Sequence, residues 1–216
     1  MDIYYSGHSS FRLKGKTATV VTDPFDSKMV GLKYPTTEAN IVTISHDHDD
    51  HNKADLIKGD PKIISGPGEY EIKEISILGF PSYHDSKKGE ERGKNTIYVF
   101  EIDGIRVCHL GDLGEKLSET LIEALGEIDV LLIPVGGTYT IGSKEAAELV
   151  REIEPSYVIP MHYLTDGMNK ASFEKLDPID PFLREVGLAV EKMPKLSIKK
   201  EEIDPEVQKV ILLERK

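Results

Sequence analysis

The sequence predicts a mixed α/β fold in which strands dominate the first half and helices alternate with strands in the second. Short β-prone runs bounded by turn residues, such as 17–21 and 40–45, are typical of strands. The unbroken apolar run at 130–135 favours a strand that is buried on both faces. Residues 143–153 repeat apolar side chains at helical spacing and stop before Pro155, which predicts a helix.

Turn signals connect the strands predicted in the first half. The Lys-Gly-Lys run at 14–16 joins two of them in a hairpin-like turn. Asp103-Gly104 separates two others, and an Asp-Gly link of two residues is a strong hairpin signal. The predicted strands are 3–5, 11–13, 17–21, 40–45, 62–65, 74–80, 97–102 and 105–110.

The second half contains three predicted helices. They cover 118–125, 143–153 with Ser143 as N-cap, and 181–186 closed by Gly187. Further strands are expected at 130–135, 157–161, 188–190 and 207–213. The polar segment from His84 to Asn95 is interpreted as a solvated hairpin loop, with a mobile flap over a site as the alternative. No low-complexity linker divides the chain, so we expect residues 1–216 to form one domain.

Composition narrows the class of partner and the compartment. The net charge of −11 disfavours nucleic acid, because phosphate backbones repel an acidic protein. The single cysteine, Cys108, cannot form a disulfide within the chain, which fits a reducing compartment. The N-terminus has no signal-peptide pattern and no apolar run is long enough to span a bilayer. We therefore expect a cytoplasmic protein without a membrane partner, whose oligomeric state the sequence leaves open.

A dense histidine and aspartate cluster follows the predicted strand at 40–45. Three of the seven histidines fall within the segment His-Asp-His-Asp-Asp-His at 46–51. Imidazoles and carboxylates together suit zinc, iron or manganese. His46 and His48 are two residues apart, so an extended segment points both to one side, where they can bind the same ion. Asp50 and His51 lie beyond the strand and offer a second set of ligands.

More ligands are needed for two ions, and other strand ends supply candidates. His84, Asp112 and His162 each follow a predicted strand. Each alone is a weak signal, because a single histidine at a strand end is more often structural. Their shared position at carboxyl ends of strands is what makes them candidates, since these ends commonly carry catalytic residues.

Six short motifs occur in an order that resembles the metallo-β-lactamase superfamily, in the group of small zinc-dependent hydrolases that includes ascorbate-6-phosphate-lactonase-like proteins. They span residues 1 to about 165. The motifs are Gly7-His8-Ser9-Ser10-Phe11, Thr22-Asp23-Pro24-Phe25, the cluster at 46–51, Tyr83-His84-Asp85, Gly111-Asp112 and Ile159-Pro160-Met161-His162-Tyr163. The resemblance implies a four-layer αββα sandwich.

The same resemblance implies a dinuclear site with defined ligands. His46, His48 and His84 would hold one ion, and Asp50, His51 and His162 the other. Asp112 would bridge the two. Asp23 would orient a ligand histidine, as metal-bound histidines usually require. His8 and His109 match no ligand position and are interpreted as hydrogen-bonded residues behind the site.

Departures from the family pattern bear on the reaction. Leu113 stands where many relatives carry threonine, so a hydroxyl near the bridging carboxylate is missing. Cys108 does not match the metal-site cysteine of classical β-lactamases, which weakens an antibiotic-hydrolysing role. His48 stands where the iron-redox branch carries glutamate, which favours hydrolysis.

These observations predict a hydrolase in which two divalent cations, zinc or alternatively manganese or iron, activate a hydroxide on a small ester, lactone or similar polar substrate. Asp50 is the predicted catalytic residue, orienting the nucleophile and moving a proton. The alternatives are a phosphodiesterase or nuclease of the same fold and a non-catalytic metal-binding protein. Gly136-Gly137-Thr138 is interpreted as a tight turn, with anion binding as its alternative.

Overall fold

The computed structural model of the chain describes residues 1–216 and contains fourteen strands and five α-helices. The strands are β1 Asp2–Gly7, β2 Ser10–Lys14, β3 Thr19–Thr22, β4 Ile41–Ile44, β5 Lys62–Ser65, β6 Gly68–Ile72, β7 Ile75–Tyr83, β8 Lys94–Ile102, β9 Ile105–His109, β10 Val130–Pro134, β11 Tyr157–Met161, β12 Ala189–Met193, β13 Leu196–Ser197 and β14 Lys209–Leu213. The helices are α1 Ser27–Val30, α2 Glu119–Leu125, α3 Ser143–Ile153, α4 Lys170–Phe173 and α5 Asp180–Val186.

The strands form two mixed sheets. The six-stranded sheet has the order β13-β1-β2-β3-β4-β5, and the eight-stranded sheet has the order β12-β14-β11-β10-β9-β8-β7-β6. In the first sheet, β3, β4 and β5 run parallel. In the second, β9, β10, β11, β14 and β12 run parallel. Strands β1 and β7 point the same way as the parallel strands of their sheets, so many carboxyl ends meet at one edge of each sheet.

Three apolar clusters define four layers. The largest contains side chains from both sheets, such as Phe11 and Tyr98, and lies between them. The second covers the outer face of the eight-stranded sheet and includes Ala146 of α3 and Phe182 of α5. The third covers the outer face of the six-stranded sheet and includes Val30 of α1 and Phe173 of α4. The predicted αββα sandwich is therefore confirmed.

Most predicted elements are present, with differences at particular places. The Asp103-Gly104 hairpin is confirmed, because Ile102 pairs with Ile105 across it. The 84–95 segment is a hairpin connection between antiparallel β7 and β8, as expected. Ser143 does not cap α3: Gly142 holds the cap position with an extended backbone, and Ser143 is the first helical residue. The Ser143 hydroxyl is buried without a hydrogen-bond partner.

The sequence did not predict four short elements, namely helices α1 and α4, edge strand β6 and the two-residue strand β13. Helices α1 and α4 have four residues each, too short to show a helical repeat. Edge strand β6 is half-buried to exposed along its length, so it lacks the apolar run that identified the central strands. No helix of the chain combines the length and apolar character that crossing a bilayer requires.

Candidate metal centre

The seven predicted ligands lie together where strand ends of both sheets face each other. Asp112 follows β9, His162 follows β11 and His84 follows β7. The cluster at 46–51 follows β4 in the other sheet. Residues far apart in the sequence therefore meet, because the carboxyl ends of strands from the two sheets lie next to each other. Functional sites of α/β proteins commonly lie at such strand ends.

The candidate ligand atoms fall into three overlapping groups, and within each group all ligand atoms lie within 4.8 Å of one another. The groups are His46, His48 and His84; His8, Asp50, His51 and His162; and His46, His51 and Asp112. The first two reproduce the ligand sets that the family resemblance implied, with His8 added to the second. The third links them through Asp112.

Asp112 lies at the centre of this arrangement. Its Oδ2 is 3.1 Å from His162 Nε2, 3.2 Å from His51 Nε2 and 3.3 Å from His84 Nε2. The carboxyl group is 2% exposed. A carboxylate surrounded by imidazole nitrogens of both sets has the position that a bridging ligand requires.

Several buried polar atoms of the cluster have no hydrogen-bond partner within the protein. They include His46 Nε2, His51 Nε2 and Asp112 Oδ1, together with the Nδ1 atoms of His84 and His162, and all are inaccessible to solvent. Unpaired buried polar atoms are rare and costly in folded proteins. His46, His51 and Asp112 each place a ligand atom within 4.8 Å of the other two, and nitrogen and oxygen ligands of this kind suit zinc. The residues present therefore fit a metal.

Asp23 and Ser45 hold two of the histidines from behind. The His51 Nδ1–H donates to Asp23 Oδ2 at 2.9 Å, which directs Nε2 towards Asp112. Asp23 also accepts the Ser45 amide at 2.8 Å and the Ser45 hydroxyl at 2.6 Å. The Ser45 Oγ lies 3.0 Å from His46 Nδ1 and so orients that ring as well. The orienting role expected of Asp23 agrees with this geometry, whereas Ser45 was not predicted.

Replacing Asp23 with asparagine is expected to weaken zinc binding by about 10- to 100-fold, the usual effect of removing the partner of a metal-binding histidine. Asparagine tolerates the positive φ of 41° at this position, so the backbone is retained. Equilibrium competition against a chromogenic chelator measures the affinity. Asp26→Asn is the matched control, because asparagine also caps a helix and the Asp26 side chain accepts only the amides of Lys28 and Met29 in α1. Equal zinc affinity in both variants would contradict the role of Asp23.

Electrostatics keep the cluster in the protonation state that a metal needs. Burial tends to raise the pKa of Asp112, but attraction to His162 and His51 outweighs it and holds the pKa well below its usual value. Burial lowers the pKa of His46 to about 3 and also lowers the pKa of His84. The carboxylate is therefore ionised and these imidazoles are neutral at pH 7, as metal ligands are.

His51 behaves differently because carboxylates surround it. Burial tends to lower its pKa, but Asp112 and Asp50 raise the pKa well above the usual value for histidine. The region between these side chains thus attracts positive charge. A divalent cation supplies that charge more fully than one proton does.

His8 and His109 both lie behind the cluster. His8 Nε2 is 3.1 Å from Asp50 Oδ2, so the ring positions that carboxylate. Burial lowers the pKa of His8 to about 4, which keeps it neutral. His109 donates from Nε2 to the Ser9 carbonyl at 2.8 Å and is fully buried. The structural interpretation of His109 is confirmed, and His8 reaches the site through Asp50.

Asn95 is a second buried support that the sequence did not reveal. Its Oδ1 accepts the Asp112 amide at 3.0 Å, and its Nδ2 donates to the Leu110 carbonyl and the Ser82 hydroxyl. Asn95 thereby fixes the loop that carries Asp112. Leu113 instead packs in the apolar cluster under the helices, so no hydroxyl from position 113 is available to the carboxylate.

Two other predicted features prove to be structural. The Gly137 amide donates to the Ile141 carbonyl at 3.3 Å, and Thr138 Oγ1 donates to the Lys175 carbonyl at 2.7 Å. The tight turn at 136–138 therefore uses its own donors, as expected. Cys108 is buried in the apolar cluster beneath the helices, where burial raises the pKa of its thiol.

The ligand cluster opens into a cavity of about 720 Å³. The lining includes His48, Asp50, His84, Asp112 and His162. A second cavity of about 730 Å³ borders the cluster on the side of His46 and the β5–β6 connection. The candidate ions would therefore be reachable by a small molecule.

Comparisons with known proteins give one consistent result. Residues 2–162 match the family model described as a β-lactamase superfamily domain. A UPF0173 metal-dependent hydrolase of Thermococcus onnurineus is 32% identical over 190 residues, covering 76% of this chain and 84% of that protein. A similarly named protein of Pyrococcus furiosus is 30% identical over 191 residues, with the same coverage of 76% and 84%.

Solved structures agree with these matches. A Thermotoga maritima member of the metallo-β-lactamase superfamily superposes with a TM-score of 0.82 and 39% identity, covering 100% of this chain and 99% of that chain. Igni18, a metallo hydrolase from Ignicoccus hospitalis, has a TM-score of 0.60 and 21% identity, covering 86% of this chain and 90% of that one. The similarity to Igni18 shows a shared fold only.

Proposed function

The chain belongs to the β-lactamase superfamily and is a metal-dependent hydrolase with the metallo-β-lactamase fold, and from this premise we propose that it uses two divalent cations to hydrolyse a small ester, lactone or similar polar substrate. We further propose the ligands predicted from the sequence. One ion takes His46, His48 and His84, the other takes Asp50, His51 and His162, and Asp112 bridges them.

One observation carries the proposal. His46 Nε2, His51 Nε2 and Asp112 Oδ1 are buried without hydrogen-bond partners, beside accessible cavities that Asp112 and His46 line. A purely structural cluster of hydrogen-bonded histidines would pair these atoms with one another. Zinc is the proposed metal, because neutral imidazoles dominate the donor set, with manganese and iron as alternatives.

When bound, two such cations lower the pKa of a shared water and stabilise the negative charge that develops on the substrate. Asp50 lines the cavity, and its side chain is 12% exposed. Attraction to His51 and hydrogen bonding to His8 overcome its desolvation and hold its pKa below the usual value, so it is ionised at neutral pH. We propose that Asp50 orients the attacking water and moves a proton towards the leaving group, while His8 fixes the carboxylate.

The proposal is tested by metal analysis combined with a panel of 4-nitrophenyl esters, lactones and phosphodiesters. We expect two ions per chain, turnover on the ester or lactone arm, and loss of both turnover and one ion in His48→Ala. His48 is exposed, so its truncation should leave the fold intact, which circular dichroism checks. Two bound ions without turnover on any arm would overturn the hydrolase mechanism and favour a non-catalytic metal-binding role.

Turnover confined to phosphodiesters would instead support the nuclease-type alternative. No observation in the structure favours it, and the net charge of −11 opposes a polyanionic substrate. We also propose that residues 1–216 act as one domain, since the ligands come from both sheets. A cytoplasmic location stays a prediction from the single cysteine.

A further inference from the structure

Arg92 lies beside the candidate metal centre without a role in it. The residue lines both cavities that border the ligand cluster. It is the only lysine or arginine in the lining of the cavity that contains Asp50 and Asp112. The nearby Lys53 is tied to Asp49 by an ion pair of 2.6 Å. Any anionic part of a ligand in this cavity therefore has a single protein cation to meet.

The backbone that carries Arg92 is held in place by a buried carboxylate. Asp85 is 3% exposed. Its two oxygens accept four backbone N–H groups of the β7–β8 connection, those of Lys87, Gly89, Glu91 and Arg92, at 2.7 to 3.1 Å. The Gly93 carbonyl also accepts the His84 amide at 3.1 Å. Hydrogen bonds within the β7–β8 connection therefore fix the backbone of Arg92 relative to His84, a candidate ligand.

The guanidinium of Arg92 keeps its hydrogen-bond donors free of the protein. It donates no hydrogen bond to any residue, and its nearest carboxylate, Glu91, is 3.6 Å away on an exposed ion pair. Its Cζ lies 5.8 Å from the ring centroid of Tyr139, within the range of a cation–π contact. The side chain is 34% exposed. A guanidinium with free donors, restrained by its loop and an aromatic ring, matches the planar geometry of a carboxylate or phosphate.

Part of the lining of this cavity is apolar or aromatic. Met29, Tyr139, Ala171 and Phe173 contribute to its lining. A ligand in this cavity would thus meet apolar side chains, candidate metal ligands and the guanidinium of Arg92.

We propose that Arg92 is a specificity-determining residue that binds a carboxylate or phosphate group of the substrate, remote from the bond that is cleaved. This inference rests on the proposed hydrolase function and narrows it to substrates that carry such an oxyanion. Arg92 contacts no candidate ligand side chain by hydrogen bond or ion pair, so its removal should leave the metals and the cleavage step in place.

Two measurements test the proposal with the metal-loaded, full-length protein. Calorimetry compares the binding of glutarate, of 3-phosphonopropionate and of neutral glutaramide. Kinetics compares mono-4-nitrophenyl glutarate with the neutral 4-nitrophenyl pentanoate. The variants are Arg92→Gln, Arg92→Lys and the control Lys88→Gln, which removes the same charge from the same loop at a residue that lines neither cavity.

We expect Arg92→Gln to weaken binding of at least one anion, and to lower kcat/KM for the anionic ester, by about 10- to 100-fold, as loss of a charge-assisted hydrogen bond does. The effect should fall mainly on KM. Arg92→Lys should recover part of it, and Lys88→Gln and the neutral probes should change less than about twofold. The anion with the larger Arg92-dependent loss identifies the carboxylate or the phosphate as the natural group.

Equal anion binding by Arg92→Gln and the unmodified protein would overturn the proposal, whatever the hydrolysis assay shows. An unmodified protein that hydrolyses neither these esters nor any substrate of the panel described above would overturn the proposed hydrolase function instead. In that case the anion binding measured by calorimetry still tests the role of Arg92 without the hydrolysis assay. The two failures are thus distinguishable.

Discussion

Replacing Asp112 with asparagine should abolish dinuclear metal binding and lower the hydrolytic rate by at least about 1,000-fold, since cations at such a site supply several kcal/mol of transition-state stabilisation. Asparagine keeps the shape of the side chain but removes its charge. Asp112 Oδ2 lies within 3.3 Å of nitrogens from three histidines, which belong to both proposed ligand sets. No other carboxylate has this position, so both ions should lose affinity together.

Metal content by mass spectrometry and thermal unfolding with and without zinc measure this effect independently of the substrate. Zinc should raise the unfolding temperature of the unmodified protein, because a ligand bound only by the folded state stabilises it. Asp112→Asn should show little of this increase. Asp55→Asn, an exposed carboxyl change outside the cluster, should behave like the unmodified protein. Two ions retained by Asp112→Asn would rule out a bridging role.

The ligand set was predictable because each member carries its own chemical signal. Histidine and aspartate side chains that directly follow β-prone runs are visible in a sequence. The order of the motifs then indicated which strand ends meet, as at His84 and His162. The four-layer fold followed from the same resemblance, and the packing of the central strands confirmed it.

The supports of the site were not predictable in the same way. Ser45 and Asn95 act through hydrogen bonds to residues 22 and 17 positions away, which no local pattern encodes. The pairing of His8 with Asp50 joins residues 42 positions apart. The spacing of apolar residues likewise indicates which side chains are buried, not which strands pair. The exposed edge strand β6 therefore gave no signal in the sequence. Ser143 failed as a cap because the extended backbone at Gly142 begins α3 one residue earlier.

Replacing Gly136 with alanine is expected to lower the stability of the protein. The residue follows β10 in the turn at 136–138, and a Cβ at this position would overlap the carbonyl oxygen of His162. A backbone group cannot rotate away as a side chain can. Inserting a methyl group into such a contact costs about 1–3 kcal/mol, occasionally more. The turn at 136–138 thus also brings the backbone of Gly136 close to the backbone of His162, a candidate ligand.

The strain should also reach the metal centre. The His162 amide donates to the His8 carbonyl at 3.0 Å, and its backbone has a positive φ of 51°. This backbone has little freedom to move without displacing the imidazole. We therefore expect Gly136→Ala to lower both the free energy of unfolding of the metal-free protein and the affinity for zinc.

Urea unfolding of the metal-free protein and zinc competition measure the two effects separately. Gly142→Ala is the matched control: its Cβ would meet only the Glu145 carboxylate at 3.0 Å, the mobile end of a side chain. The control should lose about 1 kcal/mol or less, because alanine is a poorer N-cap than glycine, and should keep its zinc affinity. If Gly136→Ala matched the control in both measurements, the loop after β10 would have room to move. His162 would then not depend on the glycine for its position.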